Sequence, residues 1–113
     1  MDITTEDRDG VTVLTLDGDA LGGPDGAAVH DALHDARGDG PAHVVVDLGR
    51  VRHMNSSGLG MLIGALTTAR GSGGDLRLAA AGERVATLLD VTQLSGVFQS
   101  FDTVDDAVAS FGG

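Results

Sequence analysis

The chain has 113 residues, of which 42% are hydrophobic, and it contains no cysteine. This length suits one domain that can bury a core, and the lack of cysteine excludes both a disulfide framework and a thiolate metal site. The charge is unequal, with 17 acidic and 7 basic residues and a formal net charge of -10. Because such a surface repels phosphate backbones, the composition disfavours direct nucleic-acid binding.

Nothing in the sequence predicts membrane insertion or export. No window approaches the eighteen or so consecutive apolar residues of a membrane span, and the N-terminus lacks a signal peptide's basic and apolar regions. We therefore expect a cytoplasmic location. The acidic residues are almost all Asp and the basic ones all Arg, which fits either solubility in concentrated salt or a coding bias.

The N-terminal part predicts a hairpin followed by a helix. Two stretches with β-branched residues, 3–5 and 11–16, are separated by turn residues at 7–10. A loop is expected over 17–23. The helix should begin at Pro24, where a missing N–H costs nothing, and end at Gly38.

Strand and helix patterns alternate after this point. Apolar runs predict strands, and apolar residues at helical spacing predict helices. The predicted segments are a central strand at 44–48, a helix at 59–69, a strand at 76–80, a helix from 82–83 to 89, a weak strand at 97–101 and a last helix capped by Thr103. The pattern indicates an α/β fold in a single domain over residues 1–113. We expect a small mixed sheet, mainly parallel after the hairpin, and about four helices.

The second predicted helix has an apolar face and two glycines. Gly60 and Gly64 lie one turn apart and are expected to let the helix approach the sheet closely. The apolar face comprises Leu59, Leu62, Ile63, Leu66 and Ala69.

The most informative segment joins the central strand to this helix, at residues 47–60. Functional loops gather where parallel strands end, and a helix start offers unpaired N–H groups. Asn55 suits the N-cap, which places Ser56 and Ser57 in the first turn with their hydroxyls near solvent. A phosphate there would be favoured by the helix and would add close to two negative charges. The same residues also suit an ordinary helix cap.

This segment resembles the signature of the STAS domain, specifically that of the anti-sigma factor antagonists of bacterial partner-switching systems. The resemblance rests on Asp47-Leu48, Val51 and Met54-Asn55-Ser56-Ser57-Gly58-Leu59-Gly60, and the order of elements is similar along nearly the whole chain. In that family an anti-sigma factor that is a serine kinase phosphorylates the first serine, and a PP2C-type phosphatase reverses the reaction.

The resemblance implies that Ser56 is the phospho-acceptor and that the unphosphorylated chain binds the anti-sigma factor and frees the sigma factor. It implies no catalytic residue, no cofactor and an effect on transcription, as in stress responses, exerted only through protein partners. The family usually has Asp where Asn55 stands, and Asn keeps the capping oxygen but loses a charge. The implied partner-binding residues are Asp19, Leu21, Gly22, Asn55, Ser56, Ser57, Gly58, Leu59 and Met61.

Two other functions remain open. The chain could be the STAS subunit of a membrane-associated, ABC-type lipid transporter that binds its ATPase, or, by fold analogy alone, a small nucleotide-binding or sensory module.

Two groups of side chains add weaker signals. Arg50, Arg52 and His53 could hold a phosphate near Ser56 or could belong to a solvated loop. His30 and His34 have a spacing that can bind zinc, but without a third ligand they indicate an exposed helix face, so no metal is expected.

Overall fold

The computed structural model describes residues 2–20, 24–37 and 40–112. They form a five-stranded sheet in the order β1-β2-β3-β4-β5, with β1 antiparallel to β2 and the other neighbours parallel. This confirms the predicted α/β fold with a mixed sheet. The elements are β1 (Asp2–Arg8), β2 (Val11–Ala20), α1 (Pro24–Arg37), β3 (His43–Met54), α2 (Ser56–Gly71), β4 (Asp75–Ala79), α3 (Glu83–Val91), β5 (Ser100–Phe101) and α4 (Val104–Phe111).

The predicted N-terminal hairpin is confirmed, and it closes through a two-residue turn. Asp9 and Gly10 both have positive φ, 57° and 84°, which is the conformation that matches the twist of two antiparallel strands. The Asp7 carboxylate accepts a hydrogen bond from the Gly10 N–H at 3.1 Å. Arg8 therefore lies opposite Val11, and the register continues without a shift to Asp2.

The sheet is covered unequally on its two faces. Val44, Val46 and Leu48 of β3 belong to a large core with residues of α1, α2 and α3, whereas Val45 belongs to a smaller core with α4. β3 is thus covered on both faces, as its continuous apolar run predicts. α4 begins at the predicted cap, where the Thr103 side chain accepts a hydrogen bond from the Asp106 N–H.

Two strands are longer than the sequence predicts. β2 continues to Ala20 and β3 to Met54, where loops were expected, and the extensions pair with each other in parallel. Glycine and charged residues in both segments suggested loops by propensity. In the structure two shifts of register, each with one extra residue in β3, accommodate them, and a cross-strand ion pair joins Asp17 to Arg50 at 3.5 Å. The remainder of the predicted loop, 21–23, lies outside the described residues, as does Gly38.

The second helix also differs from its prediction. Ile63 is 37% exposed and not part of the core, while Met61 is 9% exposed and packs inside. Gly60 and Gly64 do not approach the sheet, because a Cβ at either position would meet nothing within 4 Å.

The predicted strand at 97–101 shortens to Ser100–Phe101, following a turn around the buried Phe98. Among the helices of the three described segments, none is both long enough and apolar enough to cross a membrane.

Candidate functional site at the start of the second helix

The junction of β3 and α2 is fixed by Asn55. Its backbone is extended, with φ -111° and ψ -175°, and its side-chain Oδ1 accepts a hydrogen bond from the Gly58 N–H at 2.8 Å. Its backbone carbonyl accepts from the Leu59 N–H at 2.9 Å. The predicted N-cap is confirmed, and it sets the direction in which the first turn of α2 leaves the sheet.

Ser56 and Ser57 occupy the first two positions of α2, and both residues are exposed. A helical N–H group bonds to the carbonyl four residues earlier, and for Ser56 and Ser57 that carbonyl lies before the helix. The helix itself therefore provides these two N–H groups with no partner. These N–H groups also form the positive end of the helix dipole. The arrangement can therefore present a serine hydroxyl to another protein and can stabilise a negative charge placed on it.

Gly58 holds the first turn of α2 against the end of β2. A Cβ at this position would lie 1.9 Å from the carbonyl oxygen of Ala20 and 3.1 Å from Cγ of Met54. The Asn55 N–H also donates to the Ala20 carbonyl, at 3.4 Å. Only glycine permits this approach. The sequence pattern includes Gly58, but the reason for it appears only once Ala20 is placed beside it.

The other predicted partner-binding residues have different surroundings. Asp19 is about half exposed, and its Oδ1 lies 3.2 Å from Nδ1 of His53. Leu59 and Met61 are 3% and 9% exposed, so they support the helix from within. Leu21 and Gly22 lie outside the described residues.

Two of the three basic residues near Ser56 (Arg50, Arg52 and His53) lie beside acidic residues of β2. Arg50 pairs with Asp17, and His53 lies beside Asp19. Within residues 2–20, 24–37 and 40–112, the exposed Arg52 makes no ion pair. Because all these groups are solvated, each pair contributes little to stability, and Arg52 remains the basic side chain most able to meet a new anion.

The helix itself carries no charge over most of its length. No Asp, Glu, Lys or Arg occurs from Ser56 to Ala69, in a chain that has 24 such residues in all (17 acidic and 7 basic). Depletion of charge is typical of the centre of protein interfaces. The surface that extends from Ser56 along α2 is therefore uncharged, in contrast to the rest of the molecule.

Charge returns at the other end of α2. Burial acts to raise the pKa of Asp75, but hydrogen bonds from the Leu76 N–H and from Arg70 and Arg77 outweigh it and hold the pKa below its usual value. The Arg70 Nε lies 3.2 Å from Asp75 Oδ1. This contact ties the end of α2 to β4.

His30 and His34 lie on α1 and are both exposed. Nδ1 of His30 is 3.9 Å from the Asp31 carboxylate. In the part of the chain that the structure describes, no three His, Cys, Asp or Glu side chains come together as a metal site would require.

A mixed sheet that starts with a hairpin, with an Asn-Ser-Ser-Gly helix start beside its second strand, defines a class of small α/β domains. The STAS domain family model matches residues 2–107, and the chain belongs to this family.

Several solved structures share the fold. The anti-sigma factor antagonist from Mycobacterium paratuberculosis is 27% identical, with a TM-score of 0.81 over 96% of this chain and 92% of that one. The anti-sigma-factor antagonist (STAS) domain protein from Planctomyces limnophilus is 21% identical, with a TM-score of 0.83 over 100% of both chains. The anti-sigma factor antagonist SpoIIAA in its unphosphorylated form is 19% identical, with a TM-score of 0.70 over 99% of each chain. The Bacillus cell fate determinant SpoIIAA in its phosphorylated form is 17% identical, with a TM-score of 0.69 over 97% and 99%.

Proposed function

We propose that this chain is a cytoplasmic anti-sigma factor antagonist in a partner-switching pathway. The unphosphorylated chain binds an anti-sigma factor that is a serine kinase, and the sigma factor is thereby released. Phosphorylation at Ser56 ends this binding, and a PP2C-type phosphatase restores it. The kinase supplies the chemistry and this chain supplies the hydroxyl, so the chain itself is not an enzyme.

The observation that carries the proposal is the position of Ser56. It is exposed on the first turn of α2, which is fixed by the Asn55 cap and by the contact of Gly58 with Ala20. A phosphate on Ser56 is compatible with the free chain, because the helix start favours an anion. In a docked complex the same dianion would lose its hydration without a partner, which costs several kcal/mol. One modification can therefore leave the fold intact and remove the complex.

The comparisons support the same function. Two proteins with this fold, from Mycobacterium paratuberculosis and Planctomyces limnophilus, are anti-sigma factor antagonists. SpoIIAA, a third, exists in an unphosphorylated and a phosphorylated form. A domain of this shape can thus serve as a phosphorylated antagonist.

The proposed binding surface combines exposed and buried residues. Ser56, Ser57, Asn55 and Asp19 would contact the partner directly, since all four are exposed. Gly58, Leu59 and Met61 would keep the surface in position from beneath, and Leu21 and Gly22 complete the proposed set.

Partner capture from the native cytoplasm, with and without ATP, tests the proposal. We expect the unmodified chain to retain an ATP-binding kinase and to lose it when ATP allows phosphorylation. Recovery of a lipid transporter's ATPase instead would support the alternative function, and recovery of no kinase would contradict the proposal.

Variants at Ser56 then test the switch with the captured kinase. Ser56→Ala should keep the affinity, whereas Ser56→Asp should weaken it about tenfold or more, since a desolvated charge costs at least 1.4 kcal/mol. Ser95→Asp serves as a matched control, because Ser95 is also exposed but lies in the turn after α3. Equal affinities of Ser56→Ala and Ser56→Asp would contradict the electrostatic switch. Mapping of the phosphorylated product to any residue except Ser56 would contradict the site.

A further inference from the structure

The first strand has a long free edge. β1 and β5 lie at the two ends of the strand order, and β1 has seven residues whereas β5 has two. All residues of β1 are exposed except Ile3 and Arg8, which are half-buried. Unpaired N–H and C=O groups on such an edge are a template for the addition of another strand.

The hairpin determines which backbone groups point outward. In a two-residue hairpin the residues that flank the turn, here Arg8 and Val11, form a hydrogen-bonded pair, and bonded pairs then alternate along the ladder. The N–H and C=O groups of Ile3, Thr5 and Asp7 consequently face away from β2. These three residues present the free donors and acceptors of the edge.

A groove lies beside this edge, between β1 and α1. Its volume is about 470 Å³, and it is lined by Ile3 and Thr5 of β1 and by Ala28, Asp31, Ala32 and Asp35 of α1. Asp31 and Asp35 line it one helical turn apart, so that both carboxylates lie on the same side of α1. The side chains of a strand added to β1 would alternate between the two faces, and every second one would enter this groove.

The acidic charge of β1 favours the addition of a strand with basic side chains. β1 contributes Asp2, Glu6 and Asp7, and its one basic residue, Arg8, is paired with Asp105 of α4. A second copy of β1 would bring the same carboxylates to the edge, and like charges placed opposite each other are destabilising. A strand with basic side chains is complementary both to the edge and to the groove.

We propose that the β1 edge is a docking site for an extended segment of another protein that carries lysine or arginine at alternate positions. The segment adds to the sheet beside β1, bonds to the backbone of Ile3, Thr5 and Asp7, and places basic side chains near Asp31 and Asp35. This site does not involve Ser56 and does not depend on the function proposed above.

A pair of peptides tests the charge and the geometry together. We would titrate the labelled full chain with a peptide of alternating lysine and valine and with its glutamate-valine counterpart at low salt. The lysine peptide should bind at least about tenfold more tightly, and only it should slow hydrogen exchange at the Ile3, Thr5 and Asp7 amides. Equal affinity of the two peptides, or exchange protection confined to other residues, would overturn the proposal.

Variants separate strand addition from general attraction. Thr5→Pro removes an N–H group that points away from β2 and is not bonded to it. The variant should therefore abolish binding of the lysine peptide while the fold persists. Thr5→Val, which keeps the N–H, is the matched control. The double variant Asp31→Asn with Asp35→Asn leaves the backbone edge intact and should weaken binding severalfold. Unchanged binding in Thr5→Pro or in the double variant would overturn the proposal. Ser95→Asp, at an exposed residue in the turn after α3, should leave peptide binding unchanged, and an effect there would overturn the assignment to β1.

Discussion

Replacement of Gly58 by alanine perturbs the contact that positions the proposed switch. The added Cβ would lie 1.9 Å from the Ala20 carbonyl oxygen, where real contacts are essentially never below 3.0 Å. The start of α2 must therefore move away from β2 by about 1 Å, and forced overpacking of this kind costs about 1–3 kcal/mol. The free energy of unfolding should fall by less than this cost, because the better helix propensity of alanine offsets part of it.

Gly60 provides a matched control in the same helix. A Cβ at Gly60 would meet nothing within 4 Å, so Gly60→Ala should stabilise the chain by about 0.4–1 kcal/mol through helix propensity and the unfolded state. The two alanine variants have the same composition and differ only in the surroundings of the new methyl group. The gain in helix propensity is common to both, so their unfolding free energies should differ by the overpacking cost, about 1–3 kcal/mol.

Urea denaturation at equilibrium measures this difference. The midpoint should fall for Gly58→Ala and rise for Gly60→Ala, with the slope m unchanged in both. Binding of the proposed kinase partner should weaken in Gly58→Ala even under conditions in which the variant is fully folded. If Gly58→Ala were as stable as Gly60→Ala, the close approach to Ala20 would not be a constraint and the reasoning would fail.

Three further changes have defined outcomes. Asn55→Ala should lower the unfolding free energy by about 1 kcal/mol, while Asn55→Asp, which keeps the capping oxygen, should not; thermal denaturation compares them. Ser72→Ala should cost about 1–3 kcal/mol, because the Ser72 hydroxyl accepts from the buried Ala42 N–H at 2.9 Å; urea midpoints test this, and an unchanged midpoint would contradict it. Asp75 stabilises the fold above its unfolded pKa, since its folded pKa is lower. The stability gap between the natural chain and Asp75→Asn should therefore close as pH falls through the folded pKa, and a constant gap would refute the assignment.

Local patterns were sufficient to predict most of the fold. The continuous apolar run of β3, the turn residues before Val11 and the Thr103 cap each act over a few residues, so the sequence specifies them directly. The extensions of β2 and β3 could not be predicted in this way, because each is a strand only through pairing with the other. Ile63 was misplaced for a related reason, since the depth of α2 in the core depends on which neighbours cover it.

The candidate site, like the fold, could be predicted only where its features depend on neighbouring residues in the sequence. Asn55 and the exposed serines follow from helix capping, which operates within one turn. The requirement for glycine at position 58 depends on Ala20, which is distant in sequence. The contact of His53 with Asp19 likewise joins two strands that are distant in sequence. Physical reasoning on local residues therefore predicted the cap and the exposed serines but not the contacts that hold them in place, and the role of Ser56 as phospho-acceptor stays a prediction from the resemblance.

The contact of α2 with Ala20 also has a consequence for how the proposed kinase would recognise this chain. The wall against which the first turn of α2 packs at Gly58 includes the backbone of Ala20 from β2, and it comes together with α2 only when the sheet has formed. A synthetic peptide of residues 47–60 contains the whole signature but lacks that wall, and its helix is too short to persist alone in water. The folded domain, and not the linear motif, is thus the expected substrate, which would restrict phosphorylation to molecules that have completed folding.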